Sequence, residues 1–257
     1  MPANVNLPVG ALYGFLLVLA RVAGALVFVP LPGIKSAPEG VRAALAMGFT
    51  LALYSQWPVM PVEGMTVPVL AGWAISEAAV GLAIGVCVAI TLETLTLAAQ
   101  VLALQAGYSY ASTIDPNSEA DSPILLVFAQ LVGGMLFFVT GLDREVLRLF
   151  AQSLEKIPPG DYVFSRATAE PVIRLGSTLF STGVRLALPV VALLVMVDVA
   201  LALLGRINAQ LQLLSLAFPA KMLTTLLLLS WMASLFPRIL REISGHAWQA
   251  AHQVLGL

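Results

Sequence analysis

Of 257 residues, 59% are hydrophobic and only 11% charged, too few polar groups to cover a soluble globule of this size. A mean hydropathy of +0.93 agrees, so most of the exterior must face lipid or other proteins. The 13 Lys and Arg residues against 14 Asp and Glu leave no broad basic face for phosphates, which excludes a nucleic-acid partner.

Spanning the hydrocarbon of a bilayer takes about 20 apolar residues as helix. Val9 to Val29 is the first such stretch, and its first basic residue, Arg21, comes midway along it. A cleavable signal would carry basic residues ahead of its apolar run, so this segment is expected to be retained. Val41 to Trp57 is shorter and is closed by Pro58. Val67 to Leu92 is long, and a weaker stretch, Thr94 to Ala106, follows it. Ile124 to Leu142, Thr178 to Leu204 and Leu213 to Phe236 complete the set. None alternates as a strand does, and an open sheet would leave backbone groups unpaired in lipid, so an all-α membrane fold of about six hydrophobic segments is expected. The chain reads as one membrane domain, 1–257, with a tail from about 237 to 257.

Pro30 to Gly33, Trp57 to Pro61, Asp115-Pro116 and Pro158-Pro159-Gly160 punctuate these stretches as turns. Asp143 to Glu155 differs from them. Its Val146, Leu147, Phe150 and Leu154 are placed on one side, which suggests an interfacial continuation of the preceding helix or a partner-binding helix. Lys and Arg alternate along the loops, present at 31–42, absent from 93–122, and frequent at 143–174. If the third and fourth stretches form a hairpin, this pattern puts the N-terminus outside and the C-terminal tail in the cytoplasm. Arg206 is the single violation.

Arg21, Glu77, Arg185, Asp198 and Lys221 lie inside apolar stretches, where each costs roughly 3 kcal/mol to insert, so they are expected to point inward. Pairing with another helix or a carbonyl is the structural reading; a proton or ion pathway is the functional one. Arg185 and Asp198 are thirteen residues apart on different faces, so their partners must lie elsewhere, including on other chains. Glu77, Gly81 and Gly85 recur every four residues and offer a face on which another helix can approach closely; Gly10 and Gly14 repeat that spacing. Pro189 and Pro219 interrupt two late stretches and should kink them.

The segment from Gln105 to Ser122 combines glycine, Tyr108, Tyr110, hydroxyl residues and acids without one basic residue, a composition that suits either a flexible element in a polar lumen or an ordinary turn. Catalysis finds little support. His246 and His252 are six apart, not the spacing of a helical zinc pair, and neither a nucleophile elbow nor a phosphate loop occurs. Cys87, the only cysteine, sits in an apolar run and reads as a small buried hydrophobe. No cofactor or metal is implied.

Four blocks then resemble the FliR family, the flagellar export-gate component, together with its injectisome relatives called SctT. The first runs from Ala20-Arg21 and Gly24 through Pro30 and Pro32 to Pro38-Glu39-Gly40-Val41-Arg42. The second is Glu77 to Gly81 and Gly85, continuing to Gln105-Ala106-Gly107 and Asp115-Pro116. The third is the connection from Ser153 to Pro158-Pro159-Gly160, and the last links Leu188-Pro189, Asp198, Arg206, Gln210 and Phe218-Pro219-Ala220-Lys221. The match departs at Ala209, where relatives carry proline.

The resemblance implies a non-enzymatic part of a protein-export channel in the bacterial inner membrane and flagellar basal body. It would assemble with FliP and FliQ next to FlhB, pass unfolded protein substrates, and be built of bent hairpins held largely above the bilayer plane. Arg21, Glu77, Gly81, Gly85, Arg185, Asp198 and Lys221 would then pack or pair between subunits. Gly107, Tyr108, Tyr110, Asp115 and Pro116 would belong to a plug that closes the pore. The rival reading is a small-solute transporter or channel, which uses kinked helices and inward charges too and would act alone.

Overall fold

A computed structural model describes residues 8–29, 39–58, 60, 64–108, 124–160, 162, 166–207 and 213–256. Among them the chain is helical and holds no strand. In order come α1 (Val9–Leu26), α2 (Glu39–Ala52), α3 (Val67–Ala106), α4 (Ile124–Val139), α5 (Leu142–Lys156), α6 (Arg166–Ile207), α7 (Leu213–Met232) and α8 (Phe236–Leu255). Short 3-10 turns occupy Tyr54–Gln56 and Ala233–Leu235. Among the described residues, four helical runs are long and apolar enough to cross a membrane, the last of them joining α7 and α8 over Ala217–Leu255, or five if α4 and α5 form one broken span.

The structure departs from the sequence expectation in two places. The third and fourth stretches are not a hairpin but the single 40-residue α3. Between Gly85 and Gly107 the sequence contains no Pro or Gly, and Thr96 satisfies its hydroxyl by donating to the Leu92 carbonyl, so nothing interrupts the helix. With no hairpin there, the Lys and Arg pattern no longer fixes which side the N-terminus and the tail face. Residues 143–155 are likewise not a continuation of α4. Gly141 adopts φ +78, a conformation only glycine enters without strain, and its carbonyl accepts from Arg144 and Glu145 to start α5 as a new helix. The buried face of α5 is Leu142, Val146, Leu149, Phe150, Ser153 and Leu154, while Leu147 is exposed.

The chain divides into two compact units. The first is Met1–Ile90, Gly141–Gly176 and Ser244–Leu257. Its core takes Leu17, Val18, Val22 and Ala25 from α1 and Val80, Ile84, Cys87 and Val88 from α3. Leu149 and Phe150 of α5 add to it, with Ala247, Ala251 and Val254 of α8. The close crossing of α1 and α3 depends on missing side chains. A Cβ on Gly81 would strike the Arg21 carbonyl, one on Gly85 the Ala25 carbonyl, and one on Gly24 the Ala78 carbonyl. Gly10 and Gly14 instead receive the stretch after α2, lying against the carbonyls of Met60 and Pro58.

The second unit is Thr91–Thr140 and Ser177–Ile243. Ala98, Leu102, Ala103 and Ala106 of α3 pack with Leu125 of α4 and with Ala187, Val190 and Leu194 of α6. Gly183 opens space for Leu97 and the Thr94 carbonyl oxygen. Leu228, Leu229 and Met232 of α7 close over this cluster. Pro189 lies within α6 and Pro219 within α7. Each lacks the N–H that a helix would use at that position.

Candidate functional site: two polar clusters

In the first unit, Arg21 Nε donates to Glu77 Oε2 at 2.6 Å, and both side chains are fully buried. The Arg21 guanidinium has more donors than one carboxylate accepts, and the rest are used at the end of α5. Nη1 donates to the Ser153 carbonyl at 2.7 Å and to its hydroxyl at 3.2 Å; Nη2 donates to the Ile157 carbonyl at 2.9 Å. The cation thus stands at the negative end of the α5 dipole, where it is favoured. Glu77 uses its second oxygen to accept the Gly160 N–H at 3.1 Å. Gly160 has φ +101 and lies against the ring of Trp73, so the Pro158-Pro159-Gly160 turn is seated on α3. Ser76 Oγ adds a bond to the Tyr162 carbonyl at 2.7 Å. One ion pair therefore ties α1, α3, the end of α5 and the turn beyond it.

In the second unit, Lys221 of α7 reaches both oxygens of Asp198 of α6, at 2.9 and 3.0 Å. Gln105, in the last turn of α3, donates to Asp198 Oδ2 at 3.2 Å. The two partners differ in burial: the Lys221 side chain is 12% exposed and that of Asp198 42%. Just past Gln105, α3 ends in a Schellman arrangement. Gly107, φ +84, donates to Leu104, and the Tyr108 N–H reaches back to Ala103 at 2.9 Å. A Cβ at Gly107 would meet the ring of Phe218. The Tyr108 hydroxyl donates to the Met222 carbonyl at 3.2 Å, and partial burial raises its pKa, which keeps it a donor.

The charges singled out from the sequence are thus unequally placed. Arg21 pairs with Glu77 and Asp198 with Lys221, each with another helix of the chain, as the structural reading of these charges expects. The pairs are 56 and 23 residues apart in sequence, so composition could not match them. Arg185 is exposed on α6. Tyr110, Asp115 and Pro116 lie outside the described residues. Sequence reasoning missed Ser153 and Gln105 as partners. The available signals were a hydroxyl on the apolar face of an amphipathic helix and an amide in the last turn of an apolar one.

Residues 12–247 match the family described as bacterial export proteins, family 1. Among similar proteins, the flagellar biosynthetic protein FliR of Escherichia coli is 29% identical over 86% of this chain and 83% of its own length. The protein of the same name from Caulobacter vibrioides is 29% identical over 83% and 86%. The secretion system apparatus protein SsaT of Salmonella typhimurium is 27% identical over 77% and 79%. The chain belongs to the bacterial export proteins of family 1.

Proposed function

We propose that this family member is a subunit of the export gate of the flagellar type III apparatus. In this reading it assembles with FliP- and FliQ-like membrane proteins, beside an FlhB-like one, in the bacterial inner membrane at the flagellar basal body. Unfolded flagellar proteins would cross the membrane through the resulting channel. The chain contributes a wall and no catalysis. The observation that carries the reading is the match over residues 12–247, joined by relatives named for flagellar biosynthesis that align over more than four fifths of the chain.

Two structural features support it. The exposed surfaces of α6 and α7 are large and apolar, including Phe180, Met196, Leu203, Leu227 and Trp231, as expected of a chain that is covered by lipid or by other subunits. The buried charges are satisfied within their own unit, which suits braces better than carriers of protons. Gly107 and Tyr108, fixed against α7, are the described beginning of the segment through Tyr110, Asp115 and Pro116 that would plug the resting pore. Pro189 and Pro219 would bend α6 and α7 around that pore.

The Salmonella typhimurium relative supports a second reading in which the same gate serves an injectisome. Replacing the resident FliR of a motile bacterium with this chain distinguishes the two. Flagellar use predicts restored swimming and export of flagellar proteins. Failure there, with restored secretion in a strain lacking its SsaT-like subunit, would favour the injectisome.

A further inference from the structure

The second unit holds a cavity whose lining includes no residue of the polar cluster around Asp198. Its floor is Ala98, Ala99 and Leu102 of α3, Leu125 of α4 and Val190 of α6, all buried. Phe128 of α4, Met232 of α7, and Phe236 and Ile239 of α8 stand around the mouth. The hollow follows from side-chain size. One turn away, α3 and α4 lie close, since a Cβ on Gly133 would be 3.6 Å from Leu92 and 3.9 Å from Leu95. Beside that contact α3 presents Ala98 and Ala99 and α4 presents Ala129, three methyl groups where larger side chains would fill the space.

The cavity measures about 70 Å³, roughly five times what one water molecule requires. Water gains nothing there, because every side chain lining the space is apolar and a buried water needs about three hydrogen bonds. Left empty, the walls would forfeit their dispersion contacts on the open side. With no charged side chain in the lining to hold an ionic ligand, the fitting occupant is a hydrocarbon. Its source is set by where the cavity opens. Phe128 is 51% exposed, and Leu131 and Met135 continue the apolar exterior of α4. The other walls come from three runs apolar enough to cross a membrane, Val67–Ala106, Ala169–Ile207 and Ala217–Leu255. At that depth a bilayer supplies acyl chains and excludes water.

We propose that this cavity is a lipid site, which takes the end of one acyl chain of a membrane phospholipid while the headgroup stays outside. The chain enters beside Phe128 and ends against Ala98 and Ala99. The site lies within one unit and needs only a surrounding bilayer, so it is independent of the export-gate reading.

The test is photolabelling in cells that express this chain with the other export proteins. The cells are fed a fatty acid that carries a diazirine near its end and is built into their phospholipid; after irradiation, the labelled residues are mapped by mass spectrometry. The expected result is label on Ala98, Ala99 or Val190 in addition to outer residues such as Leu131 and Met135. Ala98→Leu and Ala129→Leu fill the space from opposite walls. Each should lower the inner label at least fivefold and leave the outer label as in the parent. Label confined to outer residues of the parent overturns the site, and is the result expected if a side chain of another subunit closes the gap. Inner label that the filling variants leave unchanged overturns it too. A second measurement needs no variant: native mass spectrometry of the purified chain should retain one phospholipid after the surrounding lipid has been stripped, and loss of all lipid in one step would contradict the site.

Discussion

Arg21 of α1 and Glu77 of α3 meet at 2.6 Å with neither side chain exposed, and the same guanidinium holds the carbonyls of Ser153 and Ile157 at the end of α5. A buried pair adds little over an apolar pair of equal shape, but breaking it leaves an uncompensated charge. Arg21→Ala or Glu77→Ala should therefore each destabilise the first unit by about 3–5 kcal/mol. The double variant Arg21→Met with Glu77→Leu should recover a substantial part of that loss. Thermal unfolding in detergent, followed by size-exclusion chromatography, reads this directly. Single variants that unfold like the parent would refute the brace.

The glycines at the α1–α3 crossing make a sharper prediction. A methyl group at Gly81 collides with the Arg21 backbone, which cannot move without displacing α1. Gly48 and Gly72 have nothing within 4 Å of such a group. Gly81→Ala should lower the yield of folded protein severely, whereas Gly48→Ala and Gly72→Ala should be neutral or gain up to about 1 kcal/mol from helix propensity. Equal behaviour of the three variants would show that the helices do not approach as described.

The unequal burial of the second pair predicts an asymmetry. Asp198→Ala strands the ammonium of Lys221, which is 12% exposed, whereas Lys221→Ala leaves a carboxylate that is 42% exposed and still accepts from Gln105. The first should be the more damaging, by about 1–2 kcal/mol, because the stranded charge is the less hydrated one. Chemical denaturation of the two variants under identical conditions checks the order, and the reverse order would contradict it.

Much of this organisation is legible in the sequence. The four-residue recurrence of Glu77, Gly81 and Gly85 marks a close helix crossing because the period is local. The partner of Glu77 is not legible, since nothing local links residue 21 to residue 77. The hairpin expected between the stretches Val67 to Leu92 and Thr94 to Ala106 does not form, because the polar residues there do not stop the helix. Polarity alone does not end a helix when each hydroxyl can bond back to its own turn. Gly141 is the opposite case. A single glycine lies inside the apolar run from Ile124 to Leu142, and its positive φ divides the chain there into α4 and α5.

At the end of α3, Gly107→Ala should cost about 1–2 kcal/mol, since it places a Cβ at φ +84 and against Phe218. Tyr108→Phe should cost about 1 kcal/mol by removing the hydroxyl's hydrogen bond to the Met222 carbonyl. Limited proteolysis of the segment beyond Tyr108 should quicken in both variants. Unaltered cleavage would mean that these contacts do not anchor it.

The central claim is that this chain works as one part of a protein-export assembly. Co-expression with FliP- and FliQ-like proteins, purification through a tag on this chain alone, and imaging by electron microscopy test it most directly. The account predicts a recovered complex containing all three proteins, and no small-solute transport by this chain reconstituted alone. A stable single chain that recruits neither protein and moves solutes in liposomes would contradict it.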